Sequence, residues 1–291
     1  MSILAVEKLN KHYPGFHLKD VSFTLGEGYI MGFIGANGAG KTTTLKSILN
    51  LVNVESGTIR VLNQDYRTNE MSLKQEIGYM FGGVDYYSKS RISKITDVVS
   101  RFYNRWDDNI YRRYMKRFSL DDSKRPSDLS HGMRIKYSLV LALSHHARLF
   151  ILDEPTSGLD PVARDDLLEL FQELIEDGDK SILFSTHITS DLEKCADFIT
   201  FIKEGKIIES QSKDDLLDSY RLIKGSPDDR LKLDSRLISK KDHSFGFTGL
   251  IRSCDLQQSD NVLAEPPNLE DIMIYYAKAK DKEAANASAD L

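Results

Sequence analysis

The stretch Gly35–Thr42, Gly-Ala-Asn-Gly-Ala-Gly-Lys-Thr, constrains the fold more than any other part of the sequence. It matches the pattern G-x-x-x-x-G-K-[ST], it follows an apolar run from Tyr29 to Ile34, and it precedes a helix-forming segment from Lys41 to Asn50. Glycines let the backbone turn tightly and bring N–H groups toward an anion, and a helix N-terminus adds partial positive charge. The sequence therefore predicts a buried strand, a phosphate-binding loop and a helix.

The side chains of this loop have separate predicted tasks. Lys41 is expected to reach the β- and γ-phosphates of a nucleotide, and the Thr42 hydroxyl is expected to bind Mg²⁺. Further nucleotide contacts are predicted for Gly35, Asn37, Gly38, Ala39, Gly40 and Thr43.

The composition of the chain limits its partners and its compartment. The 39 Lys and Arg against 44 Asp and Glu give a net charge of −5, so no overall positive field recruits nucleic acid, and we expect no nucleic-acid partner. Cys195 and Cys254 lack the spacing of a disulfide framework or zinc site, which favours a reducing cytosolic setting. No basic n-region leads into an apolar core at the N-terminus, and no run approaches 18 uncharged apolar residues. We therefore expect a chain that is neither secreted nor membrane-spanning by itself.

The segment before the loop alternates apolar and polar residues from Ile3 to Leu25, with a turn at Pro14-Gly15, and predicts an antiparallel β region. Tyr13, next to this turn, has two possible roles. It can stack on a nucleotide base, or it can pack at the strand edge.

Residues 84–145 form a predicted helical subdomain inserted between segments of the sheet, because apolar residues such as Ile92 and Ile95 recur at helical spacing. Its aromatic residues allow two interpretations, an exposed protein-binding surface or the subdomain's own core. They include Tyr86, Tyr87, Tyr103, Trp106, Tyr111 and Tyr114. Ser130 is placed to cap the helix that carries Ile135 and Leu139.

Two predicted strands lead into residues whose side chains can bind a metal or take part in catalysis. Leu149 to Leu152 leads into Asp153 and Glu154, and Ser181 to Thr186 leads into His187. One carboxylate can hold Mg²⁺ while the other polarises a water molecule for attack on a γ-phosphate. His187 can contact that phosphate or have a purely structural role. Buried strands that alternate with helices predict a mostly parallel, helix-flanked α/β sheet.

Together these motifs resemble the ATP-binding-cassette (ABC) ATPases, which are P-loop NTPases. The run Ile151–Pro161 resembles their Walker B segment and D-loop, Leu129–Met133 resembles their signature, and Ser185–His187 resembles their switch-histidine loop. The resemblance implies that Tyr13 stacks on the base, that Asp153 serves Mg²⁺, that Glu154 and His187 are catalytic, and that Ser130 and Gly132 bind the ATP of a second, same or homologous cassette. It also implies an integral-membrane permease as partner and a peripheral position on the cytoplasmic face of the membrane.

The sequence departs from the family pattern at two places. His131 and Met133 replace a glycine and a glutamine of the signature, a form that resembles type-2 exporter cassettes. The run Pro267–Ile272 is similar to the C-terminal helix of drug and peptide exporters of this branch, among them exporters of the phenol-soluble-modulin kind. The Mg²⁺-contacting glutamine of the Q-loop aligns with Gly82 or Gly83, which have no side-chain ligand.

The predicted function is therefore the ATP-hydrolysing subunit of a bacterial ABC exporter. The alternatives are a soluble ABC ATPase of translation or DNA repair and a nucleotide-gated regulatory module with little turnover. We predict an ATP-binding cassette over residues 1–209, a small α+β accessory region over 210–279 and a disordered tail over 280–291. The transported substrate does not follow from the sequence.

Overall fold

The computed structural model describes residues 1–81, 88–257 and 259–279. The chain divides into two compact units, Met1–Ser210 and Gln211–Leu291. None of the described helices is both long enough and apolar enough to cross a membrane. The predicted tail at 280–291 lies outside the described residues, as do Gly82, Gly83, Tyr86 and Tyr87.

The elements are numbered here in chain order. The strands of the first unit are β1 (Ser2–Tyr13), β2 (Phe16–Gly26), β3 (Ile30–Ile34), β4 (Ser56–Val61), β5 (Gln64–Asp65), β6 (Ile77–Phe81), β7 (Leu149–Asp153), β8 (Ser181–Thr186) and β9 (Phe198–Lys203), followed by β10 (Lys206–Ser212) at the division. The helices of this unit are α1 (Lys41–Ile48), α2 (Glu70–Lys74), α3 (Ile92–Ser100), α4 (Asp108–Arg117), α5 (His131–Leu143), α6 (Pro161–Ile175) and α7 (Thr189–Cys195), with a short 3-10 turn at Pro126–Asp128.

The N-terminal antiparallel β region is confirmed. Its strands lie in the order β2-β1-β4-β5, and β1 pairs antiparallel with both β2 and β4. The pairing of Tyr13 with Phe16 closes the turn at Pro14-Gly15 that the sequence predicts. This sheet therefore brings the start of β2 next to the end of β1.

The central sheet has the strand order β10-β9-β3-β8-β7-β6, and the pairs β9-β3, β3-β8, β8-β7 and β7-β6 are parallel. β3 and β7 are apolar apart from Asp153, and β8 is fully buried with Ile182, Leu183 and Phe184 at its centre between polar ends. In the β7-β8 register Asp153 lies opposite Ser185, and in the β3-β8 register Ile34 lies opposite Thr186. The carboxyl ends of the three strands therefore meet at one edge, where α/β sheets place their ligands.

The helices around this sheet begin at side chains that cap them. Ser130 accepts a hydrogen bond from the Met133 amide at the start of α5, as the sequence predicts. Asp160 accepts from the amides of Val162 and Ala163 at the start of α6, where Pro161 occupies the first helical position.

One aromatic residue differs from the sequence-based expectation, and for two others the structure favours one of the two alternatives. Tyr29 precedes β3 and is 46% exposed, because its ring packs edge-on against Phe198 rather than entering the core. Tyr111 and Tyr114 are buried within the helical segment, which supports the core interpretation for these two aromatic residues. Tyr103 stacks on the buried ring of His145, with ring centroids 3.8 Å apart.

The second unit is a small α+β structure. Its elements are α8 (Lys213–Asp218), β11 (Tyr220–Gly225), α9 (Pro227–Leu233), β12 (Leu237–His243), β13 (Gly246–Arg252), a 3-10 turn (Ser253–Asp255), β14 (Leu263–Glu265) and α10 (Leu269–Lys278). The strands form an antiparallel sheet in the order β12-β13-β11-β14, with a core of Ile223, Leu233, Leu237, Phe247 and Ile251.

Candidate functional site

The predicted phosphate-binding loop connects β3 to α1, and its glycines are required by close packing. Gly40 has a φ of 115°, and a Cβ at this position would lie 2.8 Å from a Leu18 methyl carbon and 2.9 Å from the Phe16 ring. A Cβ at Gly35 would lie 2.4 Å from the carbonyl oxygen of Ile202. The loop can therefore lie against β2 and β9 only because these side chains are absent. The first amides of α1 have no partner within the helix, which leaves them available to an anion.

Lys41 is held at the base of this loop. Its side chain is 6% exposed, and its Nζ donates a hydrogen bond of 2.9 Å to the carbonyl oxygen of Gly35. The same Nζ lies 3.5 Å from Oε1 of Glu154. A buried ammonium requires such partners, and they fix it where it can meet a phosphate oxygen.

Asp153, the last residue of β7, has a hydroxyl on each carboxylate oxygen. Thr42 Oγ1 donates to Oδ2 at 2.8 Å, and Ser185 Oγ donates to Oδ1 at 2.5 Å. The Thr42 hydroxyl and the Asp153 carboxylate are hard oxygen donors, the type that Mg²⁺ binds, and Mg²⁺ commonly keeps several waters beside one or two protein ligands. The residues present therefore fit the predicted metal. Among the described residues, no group of three or more His, Cys, Asp and Glu side chains is placed to hold a metal.

Glu154 leaves the strand in an unusual backbone conformation. Its φ is 51°, in the left-handed region that few non-glycine residues adopt. Its amide lies 3.1 Å from both the hydroxyl and the carbonyl oxygen of Ser185, and it donates to both. The carboxylate lies between two basic groups, because Oε1 is near Lys41 and Oε2 lies 2.8 Å from Nδ1 of His187. The structure thus brings the two predicted catalytic residues together beside the predicted phosphate-binding lysine.

These residues surround a pocket of about 690 Å³. Its lining consists of Gly15, Phe16, Ala36, Asn37, Gly38, Gly40, Lys41, Thr42, Thr43, Glu154, Ser157 and His187. Volume and composition suit a nucleoside triphosphate, since backbone amides and a lysine occupy one end and an aromatic ring lies at the wall.

Sequence reasoning missed several members of the site. Phe16 lines the pocket, whereas Tyr13, its partner in the β1-β2 register, has the Lys11 ammonium 4.9 Å from its ring centroid. Tyr13 and Phe16 flank Pro14-Gly15, so the sequence offered two candidate aromatic residues for the pocket wall. Ser185 was also missed, although it is the strand residue two positions before His187. Base stacking by Tyr13 stays a prediction.

The predicted signature residues do not line this pocket. Ser130 is exposed, and neither it nor Gly132 belongs to the pocket lining formed by the described residues. The chain therefore has a pocket with a phosphate-binding loop and, apart from it, an exposed capped helix start.

Known proteins are similar to this chain in sequence and fold. A family model described as "ABC transporter" matches residues 18–157. The ABC transporter ATP-binding protein YtrB of Bacillus subtilis (strain 168) is 31% identical over 285 residues, which cover 94% of this chain and 97% of YtrB. The chain belongs to the ABC transporter ATP-binding proteins. As a member of this family it is an ABC ATPase that binds ATP.

Other relatives of this ABC subunit agree. The bacitracin transport ATP-binding protein BcrA of Enterococcus faecalis is 28% identical, over 87% of this chain and 80% of BcrA. A solved structure entitled "Structure of ATP binding subunit of ABC transporter" superposes with a TM-score of 0.67, at 28% identity, over 74% of this chain and 91% of that one. These likenesses confirm the predicted family and fold, and they fit the type-2 exporter branch.

Proposed function

We propose that this ABC subunit powers a bacterial exporter by hydrolysing ATP at a site that two cassettes share. The observation that carries the proposal is the position of the Glu154 carboxylate, which lies at the pocket between Lys41 and His187. The three side chains occupy the end of the pocket where the phosphate-binding loop begins α1. A γ-phosphate bound at this end meets a fixed cation, a carboxylate and an imidazole.

The chain's own residues divide the chemistry as follows. Lys41, fixed by the Gly35 carbonyl, neutralises charge on the β- and γ-phosphates. Glu154 accepts the proton of a water molecule that attacks the γ-phosphorus, while His187 orients that carboxylate and contacts the departing phosphate. Thr42 and Asp153 hold Mg²⁺, which supplies charge neutralisation at the phosphate oxygens when it is bound.

Glu154→Gln tests the role of the carboxylate. The amide keeps the shape and one acceptor but takes up no proton, so the ATPase rate falls by about 10²–10⁴-fold while ATP still binds. ATP affinity is measured in the same preparation, as a control that the pocket is intact. A variant with the normal hydrolysis rate would assign the base to another group.

The shared site is supported by the absence of Ser130 and Gly132 from the pocket lining that the described residues form. Ser130 starts a helix whose N-terminus suits an anion, yet the in-chain loop already places the start of α1 at the phosphates. Two helix ends that face one triphosphate from opposite sides are most simply provided by a two-fold pair of chains.

Mixed dimers test this arrangement. Lys41→Ala chains and Ser130→Arg chains are each inactive alone, but one of the two sites in a mixed dimer has an intact loop and an intact signature. With random pairing and independent sites, an equimolar mixture recovers about a quarter of the wild-type ATPase activity. Wild-type chain measured alone is the control for homodimer activity. If demonstrated mixed dimers recover none while the wild type is active, sites contained within one chain become the better model.

Export through a separate membrane permease, from the cytoplasmic face, is supported by the relatives and by an exposed apolar surface. BcrA is named for bacitracin transport, and Ser130-His131-Gly132-Met133 resembles exporter signatures. On the helical segment Val98 is 49% exposed and Phe102 is 71% exposed. We propose that this surface, which follows Tyr86 and Tyr87 in the sequence, docks on the permease. Crosslinks to a copurified permease that map only to residues 225–278 would contradict this.

A further inference from the structure

His131 lies against the turn that follows Glu154. Its Nε2 is 3.1 Å from the carbonyl oxygen of Ser157, so an Nε2–H group donates to that carbonyl. The imidazole also packs on Gly158, where a Cβ would lie 2.8 Å from Cδ2 of His131, and Gly158 has a φ of +72°. Because only glycine combines this conformation with this close approach, the turn and the ring fit each other.

Two further hydrogen bonds hold this turn. The Ser157 amide donates to the Glu154 carbonyl at 3.2 Å, so the carbonyl that His131 contacts is one hydrogen-bonded turn from the carboxylate residue. Thr156 Oγ1 donates at 2.6 Å to the buried carboxylate of Asp191 in α7. With the turn fixed in this way, a rearrangement at Glu154 changes the position of the Ser157 carbonyl rather than being absorbed locally.

The other end of the contact is the start of α5. His131 is the first residue of this helix and directly follows Ser130, whose hydroxyl caps it by accepting from the Met133 amide at 3.2 Å. A second contact joins the same two segments, because a Cβ at Gly132 would lie 3.0 Å from a Leu159 methyl carbon. A shift of the turn therefore reaches the helix end that carries Ser130.

Binding of a γ-phosphate would move this turn. Glu154 Oε1 lies 3.5 Å from Lys41 Nζ, and a phosphate that binds this ammonium competes with the carboxylate for it. Glu154 then loses Lys41 and keeps its 2.8 Å contact with His187, and its left-handed backbone and its turn adjust.

We propose that His131 is a positioning residue which transmits γ-phosphate binding in a chain's own pocket to Ser130 of the same chain. This rests on the proposed function, in which Ser130 serves the ATP of the partner cassette. His131 thereby makes each of the two sites respond to the occupancy of the other. The glycine found at this signature position in other members of the resembling family has no side chain for such a contact.

The test is amide hydrogen exchange in dilute protein that light scattering shows to be monomeric, so that no partner chain acts on α5. His131→Phe keeps an aromatic ring but has no donor, and His131→Gln restores a donor near the position of Nε2. ATP with Mg²⁺ is expected to change the exchange rates of the Met133 and Arg134 amides about tenfold in the wild type and the Gln variant. In the Phe variant these rates stay within about twofold of their values without ATP.

The outcomes separate the inference from the proposed function. Amides of residues 36–43 report ATP binding itself, and if they do not respond in any variant, the proposed function and this inference are both refuted. If they respond everywhere but the Phe variant also responds at Met133, or the Gln variant does not, the inference alone is wrong. A steady-state readout follows from the same reasoning. The Hill coefficient for ATP falls toward 1 in His131→Phe and stays at the wild-type value in His131→Gln.

Discussion

Replacing Ser185 by alanine removes the hydroxyl that holds both acidic residues of the site. The Ser185 hydroxyl donates to the Asp153 carboxylate at 2.5 Å and accepts from the Glu154 amide at 3.1 Å. A hydrogen bond to a charged group contributes about 1.5–3 kcal/mol. The Glu154 amide keeps the Ser185 carbonyl as a second acceptor, so this loss adds less than about 1 kcal/mol. We expect Ser185→Ala to lower the free energy of unfolding by about 2–3 kcal/mol.

Ser181 at the other end of β8 provides the matched control. It is fully buried like Ser185, accepts from the Gly28 amide at 2.9 Å and donates to the Gly26 carbonyl at 3.2 Å. Both partners are neutral, so Ser181→Ala loses about 1–2 kcal/mol without touching the site. Denaturant unfolding of both variants can be followed by the fluorescence of Trp106, the single tryptophan, which lies in the first unit.

Activity distinguishes the two variants. Without the Ser185 hydroxyl the Asp153 carboxylate is free to rotate, and loss of such an orienting partner weakens metal binding by about 10–100-fold. The Mg²⁺ concentration for half-maximal ATPase activity should rise by this factor in Ser185→Ala and stay unchanged in Ser181→Ala. If both variants show the wild-type Mg²⁺ dependence, Asp153 is not positioned through Ser185 and the proposed metal site is wrong.

Three further predictions concern single side chains. Lys41→Ala should weaken ATP binding by about 1.5–3 kcal/mol, because it removes a charge-assisted hydrogen bond, whereas Lys46→Ala in the last turn of α1 should leave equilibrium binding unchanged. Asp191→Asn should lower the free energy of unfolding by about 3 kcal/mol in denaturant titrations, because its carboxylate is only 1% exposed and pairs with Arg164. A loss below about 1 kcal/mol would show that this ion pair contributes little. Burial lowers the pKa of His145 below its ordinary 6.5, although the Ile77 and Leu141 carbonyls partly oppose this, so its stabilising contribution is present above pH 6.5 and is lost as the pH falls through the folded-state pKa. His145→Gln should therefore show a shallower fall in unfolding free energy below pH 6.5 than the wild type, and equal slopes would refute this.

The sequence predicts the parts of this site whose signals are local. The loop at Gly35–Thr42, the cap at Ser130 and the strand that leads to His187 follow from spacing and from apolar runs, and the structure has each of them. The antiparallel region with its turn at Pro14-Gly15 is of the same kind. Such features are determined by residues that lie close together in the sequence, so a short stretch of the chain is enough to predict them.

Contacts between distant strands could not be predicted in this way. The sequence places Ser185 in a strand and in the run Ser185–His187, but it predicts no role for its hydroxyl, because the contact with Asp153 depends on β8 lying beside β7 in one particular register. The left-handed backbone of Glu154 likewise accompanies hydrogen bonds from its amide to Ser185 on the neighbouring strand, which no local sequence pattern contains. Phe16 lines the pocket because β1 and β2 pair across their turn. The sequence alone does not show whether Tyr13 or Phe16 faces the pocket.

The position of β8 between β3 and β7 has a consequence for the synthesis of the protein. β3 ends in the phosphate-binding loop and β7 ends in Asp153, but these two strands are joined only through β8, which comes later in the chain. A nascent chain that ends before Ser181 contains the lysine and both carboxylates but lacks the strand that aligns them. Pairing over such sequence distances forms late in folding, after the loop entropy of some 150 residues has been overcome. A site that needs the phosphate-binding loop and Asp153 together therefore forms only after β8 has paired, and stabilisation by ATP bound to both begins at that point.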